Sequence, residues 1–358
     1  MKKVLCFIAH APHLESCLPI LAGLQKRGNV QVIPVVSRRL KKIEPSLVNA
    51  FKELGLEPVF RSRFSLELLS YFLMKRADAV LSYGDPLALP NNIRMRDWYL
   101  VWSKTPSIFI QHGLLQEGIT QDWEHLKSDW YASRILWWDD FYPEKTPFLT
   151  LETGARIRKV GFIKKNHMKP RIFSDAVMQK INNYRQRLLV CTTSPEIEYR
   201  FGQANLEQTY EMFNQFCTRN PDVLILMRPH RGKQNTRGKD LDDALVQKQD
   251  NIIIMDRYDG DFSYTNIHDC LPLCDAVLTH VSSATLDAVY ANLPTAILHN
   301  YWESMDGLPQ VTDLESLEVF MEQTASVDIF TNTTRKIFGE LDSNVDRAAK
   351  YVEEVAMS

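Results

Sequence analysis

No stretch of this sequence is apolar for the roughly 20 residues that a bilayer-spanning helix needs, so an integral membrane protein is not expected. The opening Met-Lys-Lys-Val-Leu-Cys-Phe-Ile-Ala stops being apolar at His10, and no small-residue cleavage site follows. It reads as a strand rather than a secretory leader, and the expected location is the cytoplasm. Neither sign of charge dominates: 42 Lys and Arg face 44 Asp and Glu, a net charge of −2. That removes the global basic field by which nucleic acid is captured. Only 14 glycines occur in 358 residues, and none forms a Gly-x-Gly-x-x-Gly turn after a strand, which argues against a nicotinamide or flavin enzyme. Cysteine is sparse and poorly spaced for metal. Cys270 and Cys274 have no second paired cluster, so no zinc site is expected; six reduced thiols in apolar contexts are the simpler reading. Internal repeats and low-complexity tracts are also lacking.

What is present is alternation. Short apolar runs at Val4–Ile8, Val30–Val36, Ala79–Ser82 and Ser107–Gln111 predict buried strands, with helical spacing over Leu14–Lys26, Pro45–Leu54 and Leu66–Arg76. The rhythm restarts with strands at Leu188–Thr192, Val223–Met227, Ile252–Met255, Ala276–Thr279 and Thr295–Leu298. Helices are predicted over Leu206–Thr218, Leu241–Lys248 and Ser283–Asn292. Strands alternating with helices imply parallel sheets with crossover connections, hence an α/β chain of two doubly wound, Rossmann-like domains facing a cleft. Periodicity breaks around Gly161, the following lysines and Pro170. The domains are therefore expected at 1–165 and 166–332, followed by a C-terminal helical segment, 333–358, able to pack back on the first domain. Two basic runs, Arg38-Arg39 with Lys41-Lys42 and Lys164-Lys165 with Lys169 and Arg171, read as solvated surface, with phosphate or headgroup contact as the alternative. The aromatics Trp98, Tyr99 and Trp102 read as core or interface before a sugar-stacking platform.

In doubly wound sheets ligands bind beyond the carboxyl ends of strands. Those exits carry His10-Ala11-Pro12-His13, Gly84-Asp85 and Gln111-His112-Gly113 in the first half. In the second half they carry Thr192-Thr193-Ser194-Pro195-Glu196, Arg228-Pro229-His230-Arg231 and His280-Val281-Ser282-Ser283. Ser282 and Ser283 stand where a strand runs into a helix, and a helix N-terminus offers free N–H groups and a positive dipole end to an anion. One serine could instead be a plain helix cap. Arg228 supplies a guanidinium suited to phosphate, and His230 an imidazole able to protonate a departing oxygen.

Gln111-His112-Gly113, Arg228-Pro229-His230 and Asp275 through Ser283 with Asp287 resemble bacterial GT-B glycosyltransferases of capsule and cell-wall assembly. That group includes the CDP-glycerol glycerophosphotransferases and the CMP-sugar users that transfer sialic acid or Kdo. The resemblance implies that the paired serines and the Arg-Pro-His segment surround the nucleotide phosphates, with the His-Gly turn opposite. Thr-His-Val-Ser-Ser replaces the Thr-Asp-Tyr-Ser-Ser favoured by the glycerophosphotransferases, which points to a sugar donor, with CMP-Kdo as the first choice. The implied activity is metal-independent transfer, without a cofactor, from a nucleotide sugar to a cell-surface polysaccharide or lipid-linked glycan, with at most peripheral association at the inner membrane face. Oligomeric state is left open.

Glu196 and Glu117 are the expected carboxylates for activating the acceptor, with His230 and His112 as further catalytic candidates. Donor phosphate contacts fall to Arg228, Ser282, Ser283, Thr193, Ser194 and His280; acceptor contacts fall to His10, His13, Asp85 and Gly113. Rivals are a CDP-glycerol-type phosphotransferase, an enzyme like UDP-N-acetylglucosamine 2-epimerase, and a non-catalytic nucleotide-sugar-binding module.

Overall fold

The computed structural model of the protein describes residues 1–9, 11–43, 47–85, 95–114, 130–139, 150–167, 169–192, 203–230, 245–256, 260–299, 305–324 and 334–358. These fold as two compact units, Met1–Lys169 with Ile337–Ser358, and Pro170–Lys336. The predicted α/β class is what the structure shows, with a parallel sheet in each unit.

The first unit contains β1 (Lys2–Ile8), β2 (Val30–Ser37), β3 (Val59–Arg61), β4 (Ala79–Ser82), β5 (Ser107–Ile110), β6 (Arg134–Trp137) and β7 (Ile157–Lys159). Their spatial order is β3-β2-β1-β4-β5-β6-β7, so the winding direction reverses between β1 and β4. Val4 through Ile8 are buried without alternation, as expected of a strand covered on both faces. The strands missing from the sequence reading, β3, β6 and β7, are three or four residues long and carry an arginine or lysine. That composition hides their period.

The C-terminal helix Leu341–Met357 belongs to this unit and buries Ala348, Ala349, Val352, Val355 and Ala356. At Gly23, a Cβ would stand 3.0 Å from that of Ala349, so glycine lets the helix Ala11–Arg27 come close. Arg27 reaches Glu353 at 2.5 Å and Asp346 at 3.0 Å. Asn344 is fully buried and donates to the carbonyls of Phe162 (2.9 Å) and Phe338 (2.6 Å). The single helical pattern expected from Thr333 is broken at Gly339, where φ is +74°.

The second unit contains β8 (Gln186–Cys191), β9 (Val223–Arg228), β10 (Ile252–Ile254), β11 (Ala276–His280), β12 (Thr295–Leu298) and β13 (Gln310–Val311), ordered β10-β9-β8-β11-β12-β13. The reversal here falls between β8 and β11. One sheet face packs on the helix Gln203–Arg219 through Tyr210, Phe213 and Phe216; the other packs on Phe173, Ile181, Ile267 and Ala288. Arg187 grips both carboxylate oxygens of Asp275 at 2.9 and 2.8 Å, joining β8 to the start of β11. The helix predicted over Leu241–Lys248 lies largely outside the described residues.

In the Lys164–Arg171 run, Lys165, Lys169 and Arg171 are exposed as expected of solvated surface, and Lys164 is the exception. Lys164 is buried against Glu15 at 3.5 Å, with side chains only 3% and 8% exposed, while Lys165 pairs with Asp342 and Lys169 with Glu53. All six cysteines are buried and unbridged. Among the described residues, no helix is long and apolar enough to cross a membrane.

Candidate functional site

A doubly wound sheet opens its ligand crevice where the winding reverses, and in the second unit that is the carboxyl edge of β8 and β11. β11 ends at His280; Val281 turns the chain, and the helix Ser283–Tyr290 starts at once. Ser282 is its N-cap: the hydroxyl accepts from Ala284 N–H at 3.2 Å. Thr285, fully buried, clamps the turn from beneath. Its hydroxyl donates to the His280 carbonyl at 3.2 Å, accepts from Ser282 N–H at 3.3 Å and lies 2.9 Å from Thr279 Oγ1. The cap role foreseen for one serine therefore falls to Ser282, while Ser283 is the first helical residue, half-buried.

β8 and β9 set the next positions. Cys191 is in register with both Arg228 and Thr279, which places Arg228 two strand spacings, about 10 Å, from β11. Thr192 Oγ1 accepts from the backbone N–H of His230 at 3.2 Å, fixing the Arg228-Pro229-His230 segment over the end of β8. The His230 side chain is exposed. Arg228, the expected phosphate contact, is half-buried. Its guanidinium hydrogen-bonds the thiols of Cys191 and Cys270. Arg228 continues the Leu224–Leu226 row, which packs in the same cluster as Cys191 and Cys270. Burial pushes the Cys191 thiol up to about 12, with Arg228 opposing, and raises Cys270 in the same sense, so both thiols are neutral partners. Asp287 also acts on Cys191, and His268 Nε2 lies 3.8 Å from Asp287.

His280 is buried, its ring stacked near that of His299 at 6.3 Å. His299 follows β12 with φ +53°, and burial holds its imidazole below the usual range. The sequence reading omitted it, although the same strand-exit criterion would have found it.

In the first unit the reversal lies between β1 and β4, and three rings gather there. His13 stacks on Tyr83 with centroids 4.0 Å apart and planes 8° apart; His112 meets His13 edge-on at 5.5 Å and Tyr83 at 5.6 Å. Tyr83, also missed, is buried, and its hydroxyl donates to the His13 carbonyl. Desolvation, then the neighbouring Cys17 and Cys6 thiols, push its phenol well above the ordinary value, so it stays protonated. Gln111 fixes the His112-Gly113 turn by donating to the Gly113 carbonyl at 3.0 Å and accepting from Trp138 N–H at 2.7 Å. Asp85, expected as an acceptor contact, is 3% exposed and instead accepts from the backbone N–H groups of Tyr131 (2.9 Å) and Ala132 (2.8 Å), bracing the entry to β6. His10, Glu117, Thr193, Ser194 and Glu196 lie outside the described residues. Among the described residues no three His, Cys, Asp or Glu side chains converge as a metal cage.

No family model matches the chain, and no curated protein sequence matches it. Solved structures do. The chain is similar to Staphylococcus aureus MnaA with UDP (TM-score 0.62, 12% identity, 96% of this chain and 94% of that one). It is also similar to the UDP-GlcNAc 2-epimerase of Methanocaldococcus jannaschii with UDP-GlcNAc and UDP (0.60, 16%, 98% and 99%). The wall teichoic acid polymerase TagF soaked with CDPG is a further match (0.53, 13%, 99% and 88%). At these identities the likeness establishes the fold: two Rossmann-like domains of GT-B type, the architecture shared by these nucleotide-sugar enzymes.

Proposed function

We propose that the protein is a glycosyltransferase that holds a nucleotide-activated sugar against the carboxyl edge of β8 and β11 and passes the sugar to a glycan hydroxyl. One observation carries the reading: at the reversal point of the second sheet, a capped and clamped helix N-terminus, with Ser283 as its first residue, stands near the His230 segment. Such a terminus attracts an anion through its dipole. In the reaction the acceptor oxygen bonds to the anomeric carbon while the bond from that carbon to the donor phosphate breaks. Ser283, at the positive end of the helix dipole, receives the leaving phosphate, His230 gives it a proton, and Arg228 adds positive potential. Glu196 or Glu117 takes the acceptor proton, and the His13–His112 ring cluster lines the acceptor side. The favoured donor is a CMP-linked acidic sugar such as Kdo, and the favoured acceptor a cell-surface polysaccharide or lipid-linked glycan. Neither a metal nor a cofactor is part of this reading.

A second reading, an epimerase acting on a UDP-sugar, is favoured by the TM-scores of 0.62 and 0.60 to UDP-bound neighbours. A thermal-shift panel of CMP, CDP, UDP and GDP separates the donors, since a ligand at one hundred times its Kd adds about 2.7 kcal/mol. Preference for UDP removes the cytidine assignment. Conversion of a nucleotide sugar in the absence of any acceptor replaces transfer by epimerisation, and release of CMP with a phosphoglycerol-extended product would indicate the CDP-glycerol route. If no nucleotide binds, the reading fails.

A further inference from the structure

The helix Arg63–Met74 is apolar on more than one side. Leu66 and Met74 are buried in the first unit's core and Leu73 packs against it. Phe64, Leu68 and Phe72, four residues apart and therefore stacked along one stripe, are nonetheless 74%, 49% and 62% exposed, and Leu69 beside them is 42% exposed. The helix Met95–Ser103 packs alongside and adds Trp98 and Trp102, the latter 56% exposed. The patch is continuous, because Phe72, Tyr71, Tyr99 and Trp102 follow one another at centroid distances of 5.7, 5.6 and 5.6 Å. A helix with apolar residues on both faces needs cover on both, and an aromatic-aliphatic patch this concentrated marks an interaction surface.

The charge around the patch decides what covers it. Lys75 lies with its Nζ 5.1 Å above the Tyr71 ring, Arg76 follows it, and Lys104 stands exposed just past Trp102. Over residues 61–76 and 95–104 the only carboxylates are Glu67 and Asp97, in a chain whose net charge is −2. An isologous contact with a second copy would set this basic rim against itself. An anionic bilayer answers both features, taking aromatic rings at the level of its headgroups and attracting lysine and arginine.

We propose that the face formed by the helices Arg63–Met74 and Met95–Ser103 docks the protein on an anionic lipid surface, with Phe64, Leu68, Phe72 and Trp102 entering the headgroup region. Docking needs no donor, so it stands or falls separately from the transferase reading.

The test is sedimentation of the full-length chain with vesicles of phosphatidylcholine and phosphatidylglycerol, without nucleotide. Binding to mixed vesicles that weakens with salt, and little binding to pure phosphatidylcholine, is the expected result. Phe72→Ser with Trp102→Ser lowers the partition coefficient about a hundredfold, taking about tenfold per large apolar side chain. Lys75→Gln with Arg76→Gln lowers it about 25-fold, at about fivefold per cation. Both double variants stay folded, with Tm within a few degrees of wild type, since these side chains are mostly exposed. Absence of vesicle binding, equal binding to both vesicle types, or equal binding by the variants overturns the proposal. So does a wild-type dimer that Phe72→Ser with Trp102→Ser converts to monomer, which would assign the face to a second copy.

Discussion

The two serines at the end of β11 offer a way to separate fold from function. Ser282 holds the cap, its hydroxyl accepting from Ala284 N–H at 3.2 Å. Losing a serine cap costs about 1 kcal/mol, so Ser282→Ala lowers Tm by about 2–4 °C in a domain of this size. Ser283 is a first-turn residue outside that cap bond, and alanine is the better helix former by a few tenths of a kcal/mol. Ser283→Ala should therefore move Tm by no more than about 2 °C. Its effect on nucleotide binding should be the larger one. A hydrogen bond to a charged group contributes about 1.5–3 kcal/mol, so removing a hydroxyl that faces phosphate raises Kd by about 10- to 150-fold. Titration calorimetry with whichever of CMP, CDP, UDP or GDP binds the wild type measures this directly. Unchanged affinity in Ser283→Ala refutes the phosphate assignment. So does a loss matching that of Ser282→Ala in proportion to lost stability, because the hydroxyls would then only shape the turn.

Other consequences concern the scaffold. A Cβ at Gly161, where φ is +87°, would lie 2.3 Å from the backbone oxygen of Phe338 and 2.4 Å from Asn344 Nδ2. Gly161→Ala should then cost more than about 3 kcal/mol, and an unchanged urea midpoint would contradict that packing. Lys164→Met leaves Glu15 without its buried ammonium partner and should cost about 3 kcal/mol or more at pH 7. Adding Glu15→Gln should restore part of this, and a double variant no more stable than Lys164→Met would dismiss the pair as a stabilising unit. Two pH effects are expected from opposite shifts. The folded state disfavours the His299 proton, so stability is lost as pH falls below the unfolded value of about 6.5, and His299→Asn, which tolerates the positive φ, removes that loss. Glu353 is held low chiefly by its hydrogen bond from Arg27, so its contribution is present above about pH 4.5 and is lost as pH falls through its depressed folded value; Arg27→Ala flattens that limb of a pH–urea series.

The architecture was legible wherever burial on both sheet faces forces an apolar run. β4 and β12 match their predicted limits, and β1, β5 and β9 differ by one or two residues. It was illegible where a strand is too short to show a period, as in Ile157–Lys159, or where one glycine interrupts a helical pattern, as at Gly339. Among candidate residues, the strand-exit rule located Ser282, Ser283, His230, His112 and His13 without giving their roles. Roles depend on which way a side chain points, which periodicity does not show. Asp85 was misleading for a related reason: a carboxylate after a glycine turn looks available until the N–H groups of Tyr131 and Ala132, more than forty residues away, are seen to occupy it. Glu15 carried no sequence signal, since its significance lies in its contact with Lys164, whereas Tyr83, directly after β4, was within reach of the strand-exit rule.

Both sheets reverse their winding beside the first strand of the unit, yet the two edges are built from different chemistry. At β8 and β11 the polar groups are amide N–H, serine hydroxyl and an exposed imidazole, with a guanidinium oriented by thiols that burial keeps uncharged. At β1 and β4 the edge is a packed group of rings, His13, Tyr83 and His112, with the phenol held protonated. His13 and Tyr83 spend their stacked faces on one another, and His112 meets both edge-on. The two edges therefore differ in chemistry, one polar at the start of a helix and the other a packed group of rings.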